Sequence, residues 1–292
     1  MTPRSWLFVP GDAPAKIEKA PSSGADALIL DLEDSVAPAR KPAARDIVAA
    51  ALRARQPGPE YWVRINPLSG IFARDDLAAL STAPDGIVLP KPDSGADVTA
   101  LCKILSELEA KAGWPAGGIK ILPIATETPR AMFTLGTYEA SSPRLAGLTW
   151  GAEDLPAAIG AVSSRNEDGT LSDLCRIARA LCLAGAATAD VPAIETVYPD
   201  FRDLPGLRAY VAQGRRDGFT GMLAIHPAQA PIINEVMSPT GAEVAHASRI
   251  VETFEANPNA GVIAIDGKMI DMPHLKQARR ILSLARETGE GK

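Results

Sequence analysis

The sequence has few aromatic residues, 5% of its 292, and only three cysteines and three histidines. Cys102, Cys175 and Cys182 are an odd number at no close metal-ligand spacing. That argues against a disulfide framework, fits a reducing compartment, and leaves core packing as their expected role. So few aromatics argue against a base-stacking platform. Basic residues are also in deficit: 30 Lys and Arg against 35 Asp and Glu give a net charge of −5, which argues against a broadly basic nucleic-acid binder. No apolar run reaches the roughly 18 residues of a membrane span. The apolar patch at 6–10 is interrupted by Pro10-Gly11-Asp12, too soon for a signal peptide. These features predict a cytoplasmic protein with neither a nucleic-acid nor a membrane partner. There is no G-x-G-x-x-G after the first apolar run, no G-x-x-x-x-G-K-[ST], no G-x-S-x-G and no H-E-x-x-H. With three histidines, a Ser/His relay is poorly supported.

The rest of the composition, 46% hydrophobic and 22% charged, is that of an ordinary globular protein. The length suits two domains of about 150 residues or one closed α/β barrel of roughly 250 with an extra piece. Eight apolar runs of strand length occur at 5–9, 27–32, 61–65, 86–89, 119–125, 145–150, 191–197 and 221–225. Helical segments lie between most of them, clearest at 41–54, 96–111, 172–187 and 204–216, with Ser172 as N-cap of the third. Parallel strands covered on both faces read as such runs rather than as strict alternation. The pattern predicts a (β/α)₈ barrel over 1–236 and a distinct tail over 237–292. The tail reads as a helix at 242–255, a short strand at 261–265, a turn at Asp266-Gly267 and a last helix opened by Pro273.

Active sites of such barrels lie at the C-terminal strand ends. The runs here end on polar residues: Asp31, Glu33 and Asp34, then Arg64, Lys91, Glu127, Asp154 and His226. Glu127 and Asp154 at successive strand ends can point into one mouth, where a cation would relieve their repulsion. With no nearby Cys or His cluster, a hard ion with oxygen ligands is favoured, most simply Mg²⁺. The competing reading of both acids is helix N-capping. Arg64 inside an apolar strand calls for an anion, either a substrate carboxylate or an internal salt bridge to Asp31 or Glu33. The acid run at 31–34 serves either as a loop cap or as hydrogen-bonded support for the site. His226 fits a structural hydrogen bond or a site role; His246 and His274 fit helix surface or packing.

Several blocks together resemble the citrate lyase β-subunit-like family of acyl-CoA lyases, within the HpcH/HpaI aldolase superfamily. They are Arg4-Ser5-Trp6-Leu7-Phe8-Val9-Pro10-Gly11, Asp31-Leu32-Glu33-Asp34-Ser35-Val36, Val63-Arg64-Ile65-Asn66-Pro67 and Leu89-Pro90-Lys91. Thr126-Glu127-Thr128-Pro129, Gly151-Ala152-Glu153-Asp154-Leu155, His226-Pro227 and Gly267-Lys268-Met269-Ile270-Asp271 continue the series in order, almost end to end.

The resemblance implies a TIM barrel with a C-terminal helical extension, usually assembled as a homotrimer. It implies Mg²⁺ held by Glu127 and Asp154, and a substrate carboxylate or carbonyl held by Arg64. Backbone N–H groups of Gly151, Ala152, Glu153 and Asp154 would hold a substrate carboxylate. Asp31, Glu33, Asp34 and Lys91 would stand behind these groups. The extension would act as a lid over a neighbouring subunit's site and bring Asp271 as acid or base. From the residues alone, Asp271 reads equally as the cap of the last helix. Lys16 is a weak candidate for a CoA phosphate, against a solvated surface role.

The implied reaction is reversible Claisen chemistry. A malyl-CoA or citramalyl-CoA type thioester would give acetyl-CoA and a 2-oxo acid, glyoxylate or pyruvate. The alternatives are a citryl-carrier-protein lyase subunit of a citrate lyase complex, a malyl-CoA thioesterase with the same metal site, and a non-catalytic ligand-binding barrel. The last would lack a metal carboxylate or the tail acid, and both are present.

Overall fold

The computed structural model describes residues 2–288. The chain divides into two compact units, Pro3–Asn234 and a tail that begins at Glu235.

The first unit is built on eight parallel strands: β1 (Ser5–Pro10), β2 (Ala27–Asp31), β3 (Glu60–Arg64), β4 (Gly86–Leu89), β5 (Lys120–Pro123), β6 (Leu148–Thr149), β7 (Ala193–Glu195) and β8 (Gly221–Ala224). Their order is β5-β4-β3-β2-β1-β8-β7-β6. The two outer strands meet through isolated parallel bridges, Ile121 with Leu145 and Ile124 with Thr149. Three backbone hydrogen bonds hold that seam: Ile121 N–H to Arg144 O (2.8 Å), Ala146 N–H to Ile121 O (2.9 Å) and Ala125 N–H to Thr149 O (2.7 Å). This is the expected barrel, with one lightly bonded join.

The barrel interior holds one or two inward side chains from most strands, among them Trp6, Ile29, Trp62, Val88, Leu122, Ile194 and Leu223. Trp6 meets Trp62 edge-on with ring centroids 4.9 Å apart. Gly86 makes room for this pair, since a Cβ there would fall 2.2 Å from the Trp62 ring. Cys175 and Cys182 are buried and unpaired, in keeping with a packing role.

The connecting helices follow the expected periodicity: α1 (Pro14–Lys19), α2 (Lys41–Arg53), α4 (Gly95–Ala112), α6 (Asp173–Thr188) and α7 (Leu204–Asp217). Ser172 caps α6, its side chain accepting from Cys175 N–H. Two further short helices are α3 (Ala73–Ala78) and α5 (Asp154–Ile159). After β5 the chain makes two 3₁₀ turns instead of a full helix. The barrel unit closes within α8 (Gln229–Met237).

The tail contains α9 (Gly241–Ala256), β9 (Val262–Ile265), β10 (Lys268–Asp271) and α10 (Met272–Thr288). Thr240 and Glu243 form a capping box at the start of α9. The single strand expected here is an antiparallel hairpin. Asp266 and Gly267 both have positive φ, 51° and 75°, the backbone of a two-residue hairpin turn. Ile250, Phe254, Ile270 and Leu275 form the core of this unit. No helix among the described residues is long and apolar enough to cross a membrane.

Candidate active site

Parallel register brings the C-terminal strand ends level. Asp31 pairs with Arg64 across β2 and β3, and Arg64 with Val88 on β4. At this end a cavity of about 350 Å³ is lined by Phe8, Asp31, Arg64, Glu127, Trp150 and Asp154, among others.

Arg64 binds Asp31 in parallel, Nε to Oδ1 and Nη2 to Oδ2, both 2.7 Å. Its Nη1 lies 3.1 Å from Glu33 Oε2, and its guanidinium lies over the Phe8 ring at 4.6 Å. The internal salt bridge anticipated for Arg64 is therefore present, and the residue also lines the cavity. Burial alone would raise the Asp31 carboxyl, but Arg64, Ser35 and the Glu33 N–H together hold it below its ordinary value. Asp31 serves both roles read from the acid run, because it also accepts from Glu33 N–H (2.9 Å) and Ser35 N–H (3.1 Å).

Lys91 joins the two sides of the mouth. Its Nζ contacts Glu33 Oε1 (2.5 Å), Asp34 Oδ2 (3.1 Å) and Asp154 Oδ1 (3.1 Å). Its backbone N–H donates to Glu127 Oε2 (2.7 Å). Glu127 is 4% exposed. Burial, then the nearby Asp154 and Glu33 charges, push its carboxyl well above the usual range despite Lys91. Glu33 is raised too, by burial, against the pull of Arg64 and Lys91.

Asp154 is the first residue of α5 and faces the cavity; the N-cap position is Glu153 and no side chain caps this helix, so the capping reading of Asp154 is not met. Gly151 packs on Glu127, and its N–H donates to Thr126 Oγ1 (3.2 Å). Ala152 and Glu153 line the cavity with it. The Trp150 indole is fixed as a wall by its Nε1–H bond to Glu195 Oε1 (2.5 Å).

Five carboxylates thus converge with Arg64 and Lys91, and the Lys41 ammonium lies behind the acid loop. Surplus negative charge, all-oxygen donors and a buried carboxylate that is hard to ionise by itself fit a hard cation. Among the described residues no three His, Cys, Asp or Glu side chains make a complete metal-ligand set. Glu127 and Asp154 would supply two ligands, with the remainder from water and substrate oxygens.

Other candidates are not among the residues that line this cavity. Lys16 is exposed on α1 and is not part of the cavity lining. Asp271 belongs to the tail unit, at the end of β10, where its Oδ1 lies 2.5 Å from His274 Nδ1. His274 is thus more than a surface residue. His226 makes a structural bond, its Nδ1 accepting from Ala228 N–H (3.2 Å), and stacks on Phe201. Lys41 is buried and donates to Leu32 O (2.8 Å) and Glu33 O (2.9 Å), bracing the acid loop. Phe8, Trp150 and Thr126 were not anticipated at the site. Phe8 and Trp150 stand at the C-terminal ends of their apolar runs, which is the one signal that marks them.

Residues 4–227 match the sequence model of the HpcH/HpaI aldolase/citrate lyase family. A (3S)-malyl-CoA thioesterase of Cereibacter sphaeroides is 34% identical over 97% of this chain and 94% of its own length. The citrate lyase subunit beta of Escherichia coli is 35% identical over 99% of this chain and 95% of its own length. Among solved structures, CitE from Mycobacterium tuberculosis in complex with magnesium, acetoacetate and coenzyme A superposes with a TM-score of 0.78. That match has 33% identity and covers 97% of this chain and 98% of the other. The chain belongs to the HpcH/HpaI aldolase/citrate lyase family of carbon–carbon lyases.

Proposed function

We propose that this protein is a Mg²⁺-dependent acyl-CoA lyase that cleaves a malyl-CoA or citramalyl-CoA type thioester to acetyl-CoA and glyoxylate or pyruvate. One observation carries the reading. Glu127 and Asp154 face the same cavity as Arg64, with surplus negative charge around them and Lys91 bonded to both acids. The magnesium and coenzyme A bound by the M. tuberculosis relative support it.

Glu127 and Asp154 would hold the ion. Bound Mg²⁺ would polarise the substrate hydroxyl and the adjacent carboxylate. Arg64, oriented by Asp31, keeps N–H groups available to the charge that develops on the carbonyl oxygen. The substrate hydroxyl gives its proton to a water molecule, its oxygen becomes the carbonyl of the 2-oxo acid as the C–C bond breaks, and the electron pair of that bond leaves on the thioester fragment as an enolate. Asp271 would give that carbon its proton. We assign Asp271 to the site of a neighbouring copy in a homotrimer. Apolar side chains exposed on the strand-to-helix loops, such as Ile71, Phe133, Val162 and Phe201, support a covered mouth. The exposed Val262, Met269 and Met272 of the tail support an apolar partner surface on the lid.

A second reading, hydrolysis of malyl-CoA to malate and CoA, is favoured by the similarity to the malyl-CoA thioesterase. The similarity to citrate lyase subunit beta supports a third, a citryl thioester on a carrier protein. Product analysis separates them. The purified protein with Mg²⁺ is incubated with malyl-, citramalyl- and citryl-CoA, and with a carrier-bound citryl thioester. The lyase reading requires acetyl-CoA plus a 2-oxo acid from a CoA ester, lost on chelation and in Glu127→Ala and Asp154→Ala. Malate plus CoA alone would favour the thioesterase, and cleavage of only the carrier-bound ester the citrate lyase subunit. Wild-type turnover in either variant would remove the metal assignment.

A further inference from the structure

Lys91 follows β4 and has φ of 50°, in the left-handed region that glycine adopts more readily than any side-chain-bearing residue. It stands between Pro90 and Pro92, and a residue before proline is kept out of the right-handed helical region. Glycine would fit this backbone with less strain, so the lysine side chain must contribute something. The turn gives the residue two separate grips. Its N–H meets Glu127 Oε2 at 2.7 Å. Its ammonium donates to Glu33 (2.5 Å) and Asp34 (3.1 Å) and is ion-paired with Asp154 at 3.1 Å.

We propose that the Lys91 ammonium competes with the divalent cation for Asp154 and so sets the ion affinity of the site. This rests on the reading of Glu127 and Asp154 as ion ligands. The Asp154 carboxylate is shared between the two cations, and a unit positive charge 3.1 Å from one of its oxygens opposes the arrival of a second. When the ion takes Asp154, the ammonium keeps Glu33 and Asp34, so it remains paired at the mouth and continues to oppose the ion. The backbone N–H continues to orient Glu127, since it does not depend on the side chain. A purely structural brace would behave in the opposite sense: its loss would disorder Asp154 and weaken ion binding.

The test is calorimetric titration of the whole chain with MgCl₂ in the absence of any thioester. Lys91→Gly deletes the ammonium, suits the left-handed backbone and retains the N–H bond to Glu127. Lys91→Met deletes the charge and keeps the stem. Lys91→Arg keeps the charge. Both charge-deleting variants are expected to bind Mg²⁺ about tenfold more tightly than the wild type, with the gain shrinking as NaCl is added. Lys91→Arg should stay near the wild type. Equal or weaker binding by folded Lys91→Gly would overturn the competition, while wild-type binding would leave the ligand reading intact. Absence of Mg²⁺ binding in the wild type would overturn both. Thermal melts identify any variant that fails to fold, and Lys91→Gly is the one whose backbone the substitution relieves.

Discussion

Gly151 stands so close to Glu127 that a Cβ on it would fall 2.8 Å from Glu127 Cγ and 3.1 Å from Oε1. The glycine preceding Asp154 by three residues thus leaves the space that the Glu127 carboxylate occupies. Gly151→Ala is expected to displace that carboxylate at a strain cost of about 1–3 kcal/mol. Mg²⁺ affinity and turnover should each fall tenfold or more, while the melting temperature drops by only a few degrees. Unaltered Mg²⁺ titration in this variant would show that Glu127 is not an ion ligand.

Arg64 and Asp31 are a buried pair, with side chains 12% and 1% exposed. Removing one partner leaves the other charge buried, at a cost of about 3–5 kcal/mol. Arg64→Met should lower unfolding free energy in urea by that amount at pH 7. The Asp31 carboxyl is held below its ordinary value in the fold. Its contribution is therefore full above the unfolded carboxyl value of about 3.9 and is lost as pH falls through the native one. The variant and wild type should converge in stability at the acid end. A loss under about 1 kcal/mol at pH 7 would contradict this.

At the opposite end of β5, Glu109 accepts from Arg144 through both oxygens and from Gly117 and Ile119 N–H groups. Burial opposes ionisation there, yet Arg144 and these N–H groups bring the Glu109 carboxyl down to about 2. The stability this provides is complete above about pH 4.3 and disappears as pH falls through about 2. Glu109→Gln should cost a few kcal/mol at pH 7. It should also flatten the acid limb of the stability profile between about pH 4.3 and 2. A limb of unchanged slope would place that acid sensitivity elsewhere.

Asp271 precedes α10 and contacts His274, which is also how a helix cap would look. Kinetics separates the cap from the acid. Asp271→Asn retains a capping oxygen and should bind Mg²⁺ normally, but exchange of the acetyl-CoA methyl protons with solvent should slow by about 10²-fold or more. An unchanged exchange rate would return Asp271 to the capping role alone.

The barrel was legible because its strands are covered on both faces, so β1, β2 and β8 read as apolar runs whatever their neighbours. The polar residues at strand ends were legible for the same reason: Glu127 follows the apolar run at 119–125 with only Thr126 between. What a chain alone cannot express is convergence. Arg64 admitted a substrate or a salt bridge until the β2–β3 register placed it beside Asp31. Lys41 braces the acid loop only because the fold brings Leu32 O and Glu33 O over its ammonium. β10 went unseen because its residues are largely exposed, so no apolar run marks it. The left-handed backbone of Lys91 leaves no compositional trace, since nothing but the fold places a non-glycine residue there.

The barrel joins its first and last hydrogen-bonded edges between β5 and β6, and that join is made by isolated bridges rather than a continuous ladder. Glu127 lies just beyond one edge and Asp154 just beyond the other. An ion held by both acids would then be a stitch across the seam, added to the bridges that already join it. Amide exchange should register this locally: protection rises at Ile121, Ala125 and Ala146 when Mg²⁺ is added and stays unchanged along β1 and β2. Cation loading would then tighten a closure that the backbone already makes.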